Sequence, residues 1–124
     1  MLMRVKQALR ILVVEDHAEL ARFITAVLST AGCVVLDPVS DYDEALAAAG
    51  ERAFDLAVID RMLRGREATA IVDLLTARRI PVLLISGYAR SLLPQRLQNL
   101  LFLEKPFTPQ ALLDAVSAAA QGLP

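Results

Sequence analysis

Short apolar runs alternate with helical hydrophobic patterns along the 124-residue chain, and this alternation restricts the fold more than any other feature. Apolar runs predict five strands, at 9–14, 33–36, 54–59, 81–85 and 101–103. Between them apolar residues recur at helical spacing. Strands that alternate with helices are joined by right-handed crossovers into a parallel sheet covered on both faces. The runs lack strict polar alternation, as expected for such buried strands.

The predicted fold is therefore α/β, a (βα)5 doubly wound parallel sheet, with the whole of 1–124 forming one domain. The first helix carries an apolar stripe and ends at Gly32, which suits the position just after a helix. Ser40 is the predicted cap of the second helix, with Asp43 three residues later as a short substitute for the usual Glu.

The remaining helices differ in the strength of their signals. The third is predicted from about Glu67 to Arg78. The fourth is weak, because Pro94 interrupts the segment, and a helix beginning there would have only about one and a half turns. Thr108 and Pro109 are well suited to the N-cap and first position of the last helix.

Composition excludes several classes of protein. Hydrophobic residues make up 56% of the chain, which argues against disorder, and the net charge of −1 argues against nucleic acid as a partner.

A single cysteine, Cys33, excludes an internal disulfide framework and a cysteine zinc site. We expect Cys33 to be a buried structural thiol. Residues 1–6 contain no long apolar leader, and no apolar stretch approaches the roughly 18 residues of a membrane span. A cytoplasmic protein without a membrane partner is expected.

The chemistry-bearing residues lie where the predicted strands end. Glu15 and Asp16 follow the first strand, Asp60 ends the third, Ser86 follows the fourth and Lys105 closely follows the fifth. In open α/β sheets ligands bind at the carboxyl ends of the strands, near the point where the strand order reverses. Three carboxylates, a hydroxyl and an ammonium are therefore expected at one edge of the sheet.

This set of groups favours a hard divalent cation. Carboxylates that meet without a cation repel each other and raise each other's pKa, whereas Mg²⁺ prefers oxygen ligands and retains several waters. The predicted ligands are Glu15, Asp16, Asp60 and the backbone carbonyl of Met62. No histidine and cysteine cluster of the kind that zinc prefers is present.

Four stretches together resemble the receiver domain of two-component response regulators. They are the runs 11–16, 54–60, 81–87 and 102–107, which read ILVVED, FDLAVID, PVLLISG and FLEKPF. They occur in the family's order and near its spacing, over almost the whole chain. The resemblance implies a flavodoxin-like sheet of strand order 2-1-3-4-5 and a phosphorylatable aspartate switch in a phosphorelay, not a turnover enzyme.

The resemblance also implies a role for each matching residue. Asp60 accepts the phosphoryl group from a histidine kinase or a histidine phosphotransfer protein, with Mg²⁺ held by Glu15 and Asp16. Lys105 pairs with Asp60 and later with the phosphoryl oxygens. Ser86 moves towards those oxygens, and Phe102 turns inward as the aromatic switch residue. A cis Lys105–Pro106 bond is expected. The motifs name neither the kinase, nor the output protein, nor the oligomeric state.

The chain departs from the family pattern after Asp60 and after Ser86. The family usually has Pro-Gly within a few residues of the acceptor, whereas this chain has Arg64-Gly65, in which Gly65 supplies the flexible position. The intervals that flank Ser86 are short, and the fourth helix is poor, as in receivers found alone or fused to hybrid histidine kinases. We expect Met62 and Tyr88 to shield the phosphoryl group from water.

Two other functions compete with this interpretation. A pseudo-receiver would use the same fold as a protein-binding module without phosphorylation. A small α/β enzyme or nucleotide binder is disfavoured, because the first strand is followed by no Gly-rich phosphate loop. His17, the only histidine, is interpreted as an exposed residue at the mouth of the site and not as a catalytic group.

Overall fold

The protein is described by a computed structural model that covers residues 8–121 and 123, so the prediction for residues 1–6 lies outside the described residues. The strands are β1 (Arg10–Val14), β2 (Val34–Val35), β3 (Leu56–Asp60), β4 (Met62–Leu63), β5 (Arg66–Glu67), β6 (Val82–Ser86) and β7 (Leu101–Glu104). The α-helices are α1 (Ala18–Thr30), α2 (Tyr42–Glu51), α3 (Thr69–Ala77) and α4 (Pro109–Ala120).

Five parallel strands form the main sheet, in the order β2-β1-β3-β6-β7. Because β4 and β5 form a separate hairpin, β6 and β7 are the fourth and fifth strands of the main sheet. The strand order is therefore the predicted 2-1-3-4-5, and the fold class is confirmed. The register brings the strand ends level: Val14 lies opposite Ile59, Asp60 opposite Ile85 and Ser86 opposite Glu104. The carboxyl ends of β1, β3, β6 and β7 therefore meet at one edge.

The sheet is buried on both faces, which explains why its strands are continuous apolar runs. Alternate residues of β1 and β3 point to opposite sides: Leu12 and Ile59 pack with residues of α2 and α3, whereas Val13 and Val58 pack with residues of α1 and α4. Cys33 is only partly buried, against the second of these clusters, and burial raises the pKa of its thiol. None of the described helices is long and apolar enough to cross a membrane.

Two helix boundaries agree with their sequence signals and two do not. Gly32, with φ +99°, follows α1, and Thr108 Oγ1 accepts a hydrogen bond from Ala111 N (3.1 Å) at the start of α4. The prediction that Ser40 caps α2 was wrong, because Asp41 is the N-cap and accepts from Glu44 N (3.1 Å). The third helix begins two residues later than predicted, because Glu67 is paired in β5.

The segment predicted to form a weak fourth helix contains two 3₁₀ turns, Arg90–Leu92 and Gln95–Leu97, in place of an α-helix. Pro94 separates them, since proline cannot donate the hydrogen bond that would continue a helix. The Arg90 guanidinium holds the segment together by donating to the carbonyl oxygens of Gln98 and Leu100, each at 2.7 Å.

The β4–β5 hairpin immediately follows the central strand. Its two-residue turn consists of Arg64 (φ +49°) and Gly65 (φ +83°). Positive φ at both central positions is the requirement of a type I′ hairpin turn. Gly65 supplies the flexible position, as predicted, and Arg64 is left-handed as well. This hairpin lies beside the strand-end groups.

Candidate functional site

A cleft at the carboxyl edge of the sheet collects most of the predicted site residues. Its lining consists of Asp16, His17, Asp60, Met62, Arg64, Gly65, Ser86, Gly87, Tyr88 and Lys105. Glu15 lies beneath this surface and is fully buried. Phe102 is half-buried in β7, outside the lining. The cleft thus contains residues from strand ends that are far apart in sequence.

Asp60 and Lys105 form the central ion pair. Lys105 Nζ lies 2.9 Å from Asp60 Oδ2 and 3.5 Å from Glu15 Oε1. Asp60 is 5% exposed and the Lys105 side chain is 23% exposed, so salt screens this pair less than it screens a surface pair. Burial alone would lower the pKa of Lys105, but its hydrogen bond with Asp60 and the two nearby carboxylates raise it. Lys105 therefore remains an ammonium. The Lys105–Pro106 bond is cis, as expected.

The pKa of Glu15 is raised well above that of an ordinary glutamate. Burial raises the pKa of Glu15 to about 7, with Asp60 adding to the increase and the His17 N–H and Lys105 opposing it. Glu15 Oε2 accepts a hydrogen bond from His17 N at 2.9 Å. The other oxygen, Oε1, is buried and accepts no hydrogen bond from the described residues. Such an oxygen costs free energy unless a cation or a proton satisfies it.

Asp16 is held by the hairpin. Its Oδ2 accepts a hydrogen bond from Arg64 N at 2.9 Å, and its Oδ1 is buried without a hydrogen-bond donor among the described residues. Burial by itself would raise the pKa of Asp16, but hydrogen bonds, that from Arg64 first, hold it below its ordinary value. Asp16 is not the N-cap of α1: that residue is His17, whose side chain makes no capping hydrogen bond.

These groups fit a divalent cation. Glu15, Asp16, His17 and Asp60 each offer one ligand atom, and the four atoms lie within 4.8 Å of one another. The carboxylates offer the hard oxygen donors that Mg²⁺ prefers, and two of their oxygens lack hydrogen bonds from the described residues. Glu15, Asp16 and Asp60 are therefore suited to hold Mg²⁺.

The family model described as response regulator receiver domain matches residues 11–117. The chain belongs to the response regulator receiver family. This receiver domain is 34% identical over 116 residues to the transcriptional regulatory protein HprR of Escherichia coli K12. That match covers 89% of the chain but 51% of HprR, so the chain spans about half the length of this curated relative.

Two solved structures are similar to this receiver domain over nearly their full length. The solution structure of SdrG from Sphingomonas melonis Fr1 has a TM-score of 0.80 and 28% identity, covering 90% of this chain and 96% of SdrG. The receiver domain of sensor histidine kinase PA1611 from Pseudomonas aeruginosa PAO1 has a TM-score of 0.75 and 25% identity, covering 92% and 98%. The PA1611 structure has a magnesium ion coordinated in its active-site cleft.

The two predicted switch residues of the receiver domain have partners other than Asp60. Ser86 is buried and its Oγ accepts a hydrogen bond from Tyr88 N at 3.0 Å. Phe102 packs against the α2 and α3 side of the core, with the Arg90 guanidinium 5.2 Å from its ring centre. The Tyr88 side chain is 59% exposed at the rim of the cleft.

The contacts of Arg61, beside the β4–β5 hairpin, were not predicted from the sequence. Arg61 makes a bidentate ion pair with Glu67 across the base of the hairpin, with Nε 2.9 Å from Oε1 and Nη2 3.1 Å from Oε2. The Arg61 guanidinium carbon lies 5.8 Å from the Tyr88 ring centre. No local motif marks this ion pair, because it depends on the hairpin.

His17 is exposed at the mouth of the cleft, as predicted. Its Nδ1 nevertheless lies 3.3 Å from Glu15 Oε2 and 3.4 Å from Asp16 Oδ1.

Proposed function

We propose that this receiver domain accepts a phosphoryl group on Asp60 in a two-component phosphorelay. The observation that carries the proposal is the buried Asp60 carboxylate, 2.9 Å from the Lys105 ammonium and adjacent to two further acidic side chains with unsatisfied oxygens. A carboxylate in that setting combines a nucleophile with sites for the charges that phosphoryl transfer requires.

The chemistry follows from these positions. A carboxylate oxygen of Asp60 attacks the phosphorus of a phosphohistidine donor, the phosphorus–nitrogen bond breaks, and the imidazole leaves with its electron pair. The product is an acyl phosphate on Asp60. Glu15, Asp16, Asp60 and the Met62 carbonyl would hold Mg²⁺, whose positive charge would offset the charge of the phosphoryl oxygens. Lys105 neutralises the resting Asp60 and then pairs with a phosphoryl oxygen.

The switch would then use groups that are engaged elsewhere at rest. Ser86 Oγ accepts a hydrogen bond from Tyr88 N, and its hydroxyl proton would be donated to a phosphoryl oxygen as the side chain moves towards the phosphoryl group. Phe102 would turn inward into the space that Ser86 leaves. The movements of Ser86 and Phe102 would shift the domain from one conformation to another, as phosphorylation switches generally do.

The proposed partners and setting follow from the same function. The phosphoryl donor is a histidine kinase or a histidine phosphotransfer protein, and an output protein reads the phosphorylated surface. The chain assists its own phosphorylation and dephosphorylation and is not a turnover enzyme. These reactions place it in the cytoplasm, where such donors have access to ATP-derived phosphate.

The decisive test is intact-mass analysis after incubation with acetyl phosphate, with and without Mg²⁺. We expect one phosphoryl adduct in the wild type only when Mg²⁺ is present, and none in Asp60→Asn, which preserves the shape of the side chain but removes the nucleophile. Circular dichroism should show both proteins folded. A folded wild type that never forms the adduct, or an Asp60→Asn variant that still forms it, would contradict the proposal.

The lifetime of the acyl phosphate should depend on Met62 and Tyr88, which both line the cleft. Replacing both by serine should speed hydrolysis several-fold, because water gains access to the phosphorus. The measurement is loss of the adduct over time after removal of acetyl phosphate. Met62→Leu with Tyr88→Phe is the matched control, since it preserves bulk, and should hydrolyse near the wild-type rate. Equal rates in the serine and control proteins would refute the shielding role.

A further inference from the structure

The hydrogen bond from Arg64 N to Asp16 Oδ2, 2.9 Å long, joins parts of the chain that lie 48 residues apart. It is a contact between the turn of a hairpin and a predicted metal ligand. The donor is a backbone group, so its presence depends on the conformation of the turn and not on the type of side chain at position 64. The only residue that removes it outright is proline.

The turn conformation itself excludes proline. Arg64 has φ +49°, whereas the proline ring fixes φ near −65°. An arginine in the left-handed region is energetically disfavoured by roughly 1 kcal/mol relative to glycine. That strain persists where the surrounding structure over-determines it, and such positions cluster at functional sites.

The hairpin is anchored on β3, so the position of the Arg64 N–H is well defined. Leu63 is fully buried in the core, and Arg61 N donates to Ile85 O at 2.8 Å. Across the base of the hairpin, Arg61 is bound by both carboxylate oxygens of Glu67, and Ala68 N donates to Arg61 O at 2.8 Å. The turn is therefore attached to the same strand that ends in Asp60.

We propose that the peptide N–H of Arg64 is a positioning group for the divalent-cation site. By occupying Oδ2 of Asp16, it orients the carboxylate and leaves Oδ1 as the ligand atom. Oδ1 is buried, accepts no hydrogen bond from the described residues and lies 3.4 Å from His17 Nδ1. The inference rests on the proposed function only in requiring that the carboxylates bind Mg²⁺.

Outer groups that orient metal ligands usually contribute about 10- to 100-fold to metal affinity. Loss of this single N–H should therefore weaken Mg²⁺ binding by about tenfold. The arginine side chain is not needed for the effect. Arg64→Gly retains the N–H and adopts positive φ freely, so it is the reference against which loss of the N–H is measured.

The test is isothermal titration of Mg²⁺ into three proteins and the wild type. Arg64→Gly retains the donor. A second Arg64→Gly protein, with an ester in place of the amide that joins residues 63 and 64, differs from the first by the N–H alone. Arg64→Pro removes both the N–H and the turn. Urea unfolding of the Mg²⁺-free proteins shows which of them are folded.

We expect the ester protein and Arg64→Pro to bind Mg²⁺ about tenfold more weakly than Arg64→Gly. Phosphorylation of the ester protein by acetyl phosphate should recover when Mg²⁺ is raised, because only metal affinity is affected; general structural damage would not be overcome in this way. Equal Mg²⁺ affinity of the amide and ester proteins would overturn the inference while leaving the proposed function intact. A wild type that binds no Mg²⁺ would overturn both.

Discussion

Glu15→Gln should stabilise the metal-free protein at about pH 8 by roughly 1–3 kcal/mol while weakening Mg²⁺ binding on the order of a hundredfold. Burial raises the pKa of Glu15 from 4.5 to about 7, so the folded protein holds this proton more tightly than the unfolded chain does. Stability is lost as pH rises from about 4.5 to about 7, and the loss is complete above that range. Glutamine has no proton to lose, but it is a poor Mg²⁺ ligand.

The measurement is urea unfolding in the presence of a chelator at about pH 5 and pH 8, with Mg²⁺ titration at the higher pH. The stability difference between Glu15→Gln and the wild type should be larger at pH 8. Glu51→Gln, which removes an exposed carboxylate at the end of α2, controls for the change in net charge and, because the side chain is exposed, should change stability little. A stability difference between Glu15→Gln and the wild type that is the same at both pH values would show that Glu15 is already ionised near pH 5.

Lys105→Met should destabilise the Mg²⁺-free protein by about 2–4 kcal/mol at about pH 8. The change leaves Asp60 (5% exposed) and Glu15 (1% exposed) adjacent without their shared cation. Removing one partner of a buried pair is costly because the other charges stay buried. Mg²⁺ should restore much of the loss, since a ligand at a hundred times its Kd stabilises by about 2.7 kcal/mol.

Denaturant unfolding with and without Mg²⁺ measures both parts of this expectation. Arg96→Met is the matched control: Arg96 pairs with Asp73 on the surface, with the two side chains 63% and 49% exposed. Its loss should cost below about 1 kcal/mol and should not respond to Mg²⁺. The account of Lys105 fails if Lys105→Met and Arg96→Met lose similar stability, or if the same Mg²⁺ concentration stabilises the Lys105→Met and wild-type proteins equally.

The strand order of the sheet, and the residues that meet at its carboxyl edge, were predictable from the sequence by itself. Strands buried on both faces must be continuous apolar runs, and right-handed crossovers bring their carboxyl ends to one edge. Polar residues that interrupt such runs at their ends therefore meet in space. This is why Asp60 and Lys105, 45 residues apart, could be placed together before their 2.9 Å contact was observed.

The tertiary structure alone decided the features that depend on neighbours distant in sequence. Arg64-Gly65 is not a typical type I′ pair, and the hairpin forms because Leu63 is buried and Arg61 reaches Glu67. The segment around Pro94 has weak propensity, so Arg90 contacts determined its 3₁₀ turns. The proton affinity of Glu15 likewise arises from its burial beside Asp60. Local sequence encodes which residues end a strand, whereas burial and hydrogen-bond partners are properties of the folded chain.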